Sequence, residues 1–276
     1  MIKFKRAYSK KRALFPLAIL LMYILVIFIA PIFAPSHSLN VDMNNRFAPM
    51  SMNHLLGTDH LGRDVLSRLL EGGRVTVGVS FLSLLLILMI SIPLGVLSGF
   101  LGGAFDRFCM RTVNSLLAFP DIIIAIVLAG LLGPSLFNIV IAVIVAKCGS
   151  YIRVVRSIIL SEKEKNYIIM AIVGGARTLY ILRKHFFPHI LSHVTVMATI
   201  DLGKIILMIA SLSYIGLGAQ PPTPEWGMML NECSAYFHNA PHLMIFPGAA
   251  IMCTVLLSNF VGDQLRDNFS LETNQH

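Results

Sequence analysis

The chain is built from long apolar runs separated by shorter polar stretches. A membrane-crossing helix needs about 20 apolar residues at about 1.5 Å each to cover roughly 30 Å of hydrocarbon. Six runs approach or exceed that length: about Leu14–Ala34, Val75–Gly99, Thr112–Leu132, Leu136–Ile152, Ile190–Leu217 and Leu243–Val261. Two of the polar stretches have a periodicity of their own. In Ser161–Pro188, SEKEKNYIIMAIVGGARTLYILRKHFFP, the residues Tyr167, Ile168, Ala171, Ile172 and Ala176 recur at three- and four-residue steps, which predicts a short amphipathic helix. Gly174 and Gly175 weaken it, Leu179, Ile181 and Leu182 start a second apolar face, and Pro188 is expected to end that face. A helix, a glycine break and a second helix between two spans predict a docking knob, because a plain connection needs only about 4–6 residues.

The second periodic stretch is His54–Arg74, HLLGTDHLGRDVLSRLLEGGR. Gly57 and Asp59 predict a turn and a cap, and Leu61, Val65, Leu66, Leu69 and Leu70 form one apolar stripe. Asp64 and Arg68 stand four apart on the expected wet side. The pattern predicts an amphipathic helix lying on the membrane surface. Further along, Gln220–Trp226 reads as a rigid turn, with Trp226 as an interfacial anchor, and the following residues as a short helix.

Composition agrees with a membrane protein. Of 276 residues, 56% are hydrophobic and 13% charged, and the mean hydropathy is +0.75. The predicted class is an all-α polytopic membrane protein with six transmembrane helices. Its parts are a basic segment at 1–13, a first span at 14–34, an external segment at 35–74, a membrane domain at 75–262 and a tail at 263–276. The membrane domain has five helices and includes the knob at 161–188 and an external loop at 219–242. The net charge of +8 follows this topology rather than forming a nucleic-acid surface. Lys3, Lys5, Arg6, Lys10, Lys11 and Arg12 place the N-terminus in the cytoplasm, and counting spans places the knob and the C-terminus there too. The 219–242 loop, on the outside, has no Lys or Arg. The first apolar run exceeds the 7–15 residues of a signal-peptide core, so a retained span is expected in a cell membrane.

Candidate chemistry is sparse. Cys109, Cys148, Cys233 and Cys253 have no CxxC spacing. Pro188 interrupts the series His185, His189, His193, Pro241 separates His238 from His242, and no metal site is assigned. Asp59 and Asp64 read as capping residues before cation ligands. No GxxxxGK[ST] loop is present, and Gly203-Lys204 lacks both the earlier glycine and the hydroxyl. The chain is therefore not expected to hydrolyse ATP. Asp201 and Lys204, three apart within the fifth span, share a helical face. They read either as a self-neutralising pair or as a polar lining of a translocation path. An ion-coupled transporter with Asp201 as relay is the alternative functional reading, and a membrane scaffold a third.

The residues Tyr167-Ile168-x-x-Ala171-x-x-x-Gly175-Ala176, followed by Ile181, His185 and Pro188, resemble the cytoplasmic coupling loop of ABC importer permeases. Met170, Ile172 and Gly174 differ from the usual residues there. GTDHLGRDVLSRLLEGGR, PLGVLSGFLGG, LLAFP, SLSYIGLGAQPPTPEWGMML and NFVGDQLRD resemble the second permease type of the dipeptide, oligopeptide and nickel importers, from about Pro16 to Asp267. The resemblance implies a homologous permease partner and two ATPase subunits that carry ATP and magnesium, with no cofactor on this chain. It also implies an external substrate-binding protein. Tyr167, Ala171, Gly175, Ala176, His185 and Pro188 would dock the ATPase, and Asp201 and Lys204 would line the path. Asp59, Arg63, Asp64 and Trp226, in the external segments, would meet the binding protein. The implied cargo is nickel or cobalt, a metal chelate or a short peptide, with small residues usual at the Lys204 position.

Overall fold

The structure is a computed structural model, and it describes residues 18–20, 22–34 and 38–273, with the side chains of 172 and 268–273 left aside. The basic residues of 1–13, the start of the predicted first span and the last residues of the tail lie outside the described residues. Helix α1 spans Ala18–Phe33. It is followed by α2 (Val65–Leu101), α3 (Gly103–Leu116), α4 (Asp121–Leu132), α5 (Leu136–Lys163) and α6 (Asn166–Val173). Helix α7 (Thr178–Tyr214) is continuous, and α8 (Trp226–Cys233) and α9 (His242–Thr273) complete the chain. Among the described residues, four helices, α2, α5, α7 and α9, are long and apolar enough to cross a membrane, and α3 and α4 form a sharply bent pair between α2 and α5.

Between membrane helices the lipid tails remove most of the hydrophobic drive, so close packing of small residues must supply the contact. Helix α2 does this with Ser91, Gly95 and Gly99, spaced four apart. A Cβ on Gly95 would stand 2.7 Å from the Val155 Cβ, and one on Gly99 would stand 2.8 Å from the Ile159 Cβ. Ser91 donates to the Cys148 carbonyl at 3.3 Å. The same device joins α7 to α9, where a Cβ on Gly262 would meet Ile200 at 2.4 Å. The bundle has two distinct ends. At one, the Ser135 amide donates to the Leu217 carbonyl at 3.1 Å, tying the start of α5 to the end of α7. At the other, Lys163 donates to the Phe100 carbonyl at 2.8 Å, tying the end of α5 to that of α2.

Four expectations change. The run Thr112–Leu132 is not one span: α3 and α4 meet at 88° across residues 117–120, with Pro120 starting α4. Proline has no N–H to continue α3, and its ring disfavours helical geometry in the preceding residue. Pro188 does not end a helix. It sits in the first turn of the Phe187–Tyr214 segment, after a π-helical turn at Leu182–Phe186 that absorbs the missing N–H. No separate surface helix occupies 54–74, because Asp64 caps α2 by accepting from the Ser67 amide at 2.8 Å, and the helix then runs unbroken to Leu101. The 262/263 boundary falls inside α9, although Asp263 and Arg266 are exposed as expected of a tail.

Candidate functional site

Residues 38–64 fold into a cap over the α5-start end of the bundle, held by backbone bonds from Asp42 to Leu61, Thr58 to Ala48 and Asp59 to Arg63. The Asp59 carboxylate accepts from the Leu61 and Arg63 amides at 2.8 and 2.9 Å and from Arg63 Nε at 2.6 Å. Arg63 Nη2 and Arg68 Nη2 both donate to Glu232 Oε2 of α8, at 3.0 and 2.5 Å. Two arginines and two carboxylates thus neutralise one another across 164 residues of sequence. Arg68 does not pair with Asp64, which holds the His54 ring at 3.0 Å instead. Burial, helped by the neighbouring carboxylates, pushes the Cys233 thiol up to about 12. Trp226 donates from its indole to the Leu69 carbonyl at 2.9 Å and lies against Gly73. The four residues expected to meet a binding protein, Asp59, Arg63, Asp64 and Trp226, are only 2–3% exposed. Their charges and hydrogen bonds are spent inside the cap, so they shape its surface rather than form it.

The knob at the opposite end has the opposite construction. Helix α6 buries Ile168 and leaves Tyr167, Ile169, Met170 and Val173 exposed. Gly175 turns the chain with φ +76°, a left-handed conformation that glycine adopts without strain. Tyr167 donates to Glu162 Oε2 at 2.5 Å, and Lys165 to Oε1 at 2.6 Å. The His185 ring lies between the Tyr167 and Tyr180 rings, at centroid distances of 5.5 and 6.1 Å. Ala171 and Ala176 pack against the core at the base of the knob, and Pro188 is exposed at the head of the α7 membrane segment. The structure therefore gathers Tyr167, Ala171, Gly175, Ala176, His185 and Pro188 into one element. His189 approaches Glu162 at 3.8 Å, and His193 bonds the His189 carbonyl at 3.0 Å. Among the described residues, no group of three His, Cys, Asp or Glu side chains is gathered to hold a metal.

Within the membrane portion, Lys204 Nζ meets Asp201 Oδ1 at 2.9 Å. Asp201 is buried, while 58% of the Lys204 side chain is exposed. A second ionic pair, missed in the sequence, joins Lys147 of α5 to Asp121 of α4 at 2.6 Å. Both residues fall inside predicted spans, where any ionisable residue is a functional candidate.

Residues 91–273 match the family described as "Binding-protein-dependent transport system inner membrane component". The chain belongs to this family. It is a membrane permease component of a binding-protein-dependent importer, and that membership replaces the ion-coupled reading built on Asp201. The chain is 36% identical over 264 residues to the dipeptide transport system permease protein DppC of Alkalihalophilus pseudofirmus, covering 96% of this chain and 87% of that one. It is 35% identical to the nickel transport system permease protein NikC of Escherichia coli, covering 83% and 82%. It is 43% identical to the glutathione transport system permease protein GsiD of Pectobacterium atrosepticum, covering 79% and 72%. Among solved structures, the inward-facing MetNI methionine ABC transporter shares the fold, with a TM-score of 0.59 at 22% identity over 73% of this chain and 96% of that chain.

Proposed function

We propose that this chain is one of two homologous permease subunits of an ATP-driven importer, and that it forms half of the path for a small charged cargo. The relatives name dipeptide, nickel and glutathione systems. Lys204 is the observation that carries the path: an ammonium with 58% of its side chain exposed, deep within a membrane helix, has no stable place against hydrocarbon. A cationic path residue favours cargo with a carboxylate, which a short peptide or an organic metal chelate supplies. The knob lies in the cytoplasm with both termini and docks one of two ATPase subunits, which bind ATP and magnesium. The cap and the turn before α8 face outward and receive the binding protein, beside a cleft of ≈ 600 Å³ lined by Pro31, Glu71, Pro222, Thr223 and Pro224. ATP-driven closure would move the knob, and α7, rooted in it, would carry that motion to Lys204.

Copurification tests this reading. Gly175→Glu and Ala171→Glu place charge on the knob, and each is expected to release the ATPase subunits from the purified complex. Retention of a full complement of ATPase by both variants would remove the knob from the docking surface.

A further inference from the structure

The two intramembrane ion pairs lie at the same depth. Lys147 is roughly 16 Å along α5 from Leu136, and Lys204 is roughly 15 Å along α7 from Tyr214, at about 1.5 Å per residue. The hydrogen bond between Ser135 and Leu217 brings those two helix ends together, so the distances start from a common level. Asp121, at the N-terminus of α4, is likewise roughly 16 Å from Leu132. Helices α4, α5 and α7 touch one another. One turn beyond Lys147 on α5, the fully buried Tyr151 hydroxyl lies beside Asp201 without a well-formed hydrogen bond. The sequence of groups across the layer is therefore Asp121, Lys147, Tyr151, Asp201 and Lys204.

Neutralising one buried lysine requires one carboxylate, and Asp121 does this through Oδ2 alone. Its side chain remains 31% exposed. At this depth that partly exposed carboxylate meets the same objection as Lys204: hydrocarbon is no partner for it. The elbow at residues 117–120 brings it there, since a straight α3–α4 helix would not start a new N-terminus halfway across the bundle. The two exposed members of the layer have opposite charge, Lys204 positive and Asp121 negative.

We propose that Asp121, held by Lys147, is a second cargo contact in the translocation path, at the same level as Lys204. The layer then presents an anion site and a cation site together, an arrangement that fits a zwitterion with a free ammonium and a free carboxylate. A bare divalent cation would meet Lys204 as a repulsive charge. The inference rests on the reading of Lys204 as a path residue, and the experiment separates the two.

Lys204→Cys is first treated with a small charged methanethiosulfonate in the assembled complex, with the unchanged chain as blank. Absence of any added reaction would overturn the path reading itself. Uptake of labelled dialanine and of nickel ion is then measured in vesicles holding the complete importer and its binding protein. The unchanged importer is expected to take up dialanine. The double variant Asp121→Asn, Lys147→Met avoids an unpaired buried lysine, and its maximal dialanine uptake should fall about tenfold for loss of one charge-assisted contact. The half-saturating concentration, set at the binding protein, and the yield of assembled complex should stay unchanged. An unaltered maximal rate in that variant would reduce Asp121 and Lys147 to a structural pair. Uptake of nickel without dialanine, or of neither, would overturn the zwitterion site.

Discussion

The cap and the knob are both extramembrane elements of one chain, yet they place charge and apolar surface in opposite ways. The cap takes Asp59, Arg63, Arg68 and Glu232 out of water and pairs their charges with one another, with Arg68 Nη1 left without a hydrogen-bond partner. The knob is anchored by Ile168, Ile181 and Phe186 at its base and shows Met170 and Val173 at 72% and 80% exposure. A closed ionic box resists rearrangement, because each charge depends on the others in a region with little water. An exposed apolar helix held at its base by a few contacts is suited to cover by a partner. The cap is thus built as a fixed frame around α8 and the start of α2, and the knob as a contact surface whose partner is the ATPase in the proposed importer.

The largest effect should come from opening the box. Glu232→Ala leaves Arg63 and Arg68 facing each other without their shared carboxylate, and breaking such a buried network costs roughly 3–5 kcal/mol. Thermal unfolding of the purified protein, read with protease sensitivity of the cap, should show the loss. A Tm unchanged from the parent would mean that water already solvates the arginines. On the knob the expected pattern reverses. Met170→Asp and Val173→Asp add charge to surface that is already exposed, so stability should change by less than about 0.5 kcal/mol. ATPase binding should fall by a factor of ten or more, about 1.4 kcal/mol or greater. Binding to immobilised ATPase measures this, and a stability loss as large as that of Glu232→Ala would erase the contrast between the two ends.

These differences were only partly legible in the sequence. The knob could be read because its helix, its glycine break and its flanking charges are consecutive, and local periodicity reports local structure. The cap could not, since Arg68 finds its partner at Glu232, and an amphipathic pattern assigns every arginine to the wet side by default. The long spans were readable from hydropathy, but the elbow at residues 117–120 was not. Leu116-Leu117-Ala118-Phe119-Pro120 continues directly into Asp121-Ile122-Ile123-Ile124, so the run stays apolar on average through an 88° bend. Asp121 and Lys147 were visible as charges within predicted spans, by the same rule that singled out Asp201 and Lys204. Their pairing needed the bend, which only tertiary structure supplies.

A smaller effect should separate the knob's internal ties from its exposed surface. Tyr167→Phe removes the hydroxyl that donates to Glu162 and leaves the ring beside His185. Burial, together with the Glu162 carboxylate, pushes the Tyr167 phenol up to about 12, so the donor stays protonated throughout the working range. Its loss should cost about 0.5–1.5 kcal/mol of local stability. Amide hydrogen exchange across α6 should rise while exchange across the cap stays constant. Equal protection of α6 in the variant would show that the phenol does not hold the knob.

The smallest effect concerns pH, and it should fall on the cap. His60 stacks on Tyr236 with centroids 5.1 Å apart, and its Nδ1 is buried without a partner. Burial lowers its pKa below the usual 6.5. Asp59 and Glu232 pull it back up, while Arg63 and Arg68 depress it further. The folded cap therefore favours the neutral ring, and below the unfolded pKa the unfolded chain binds more protons than the folded one. Stability from this group is fully present above about pH 6.5 and is lost as the pH falls through the folded value. Cap protease sensitivity should rise on acidification, and His60→Phe, which keeps a ring against Tyr236 and removes the titration, should flatten that rise. If the phenylalanine variant keeps the whole acid response, the response does not come from His60.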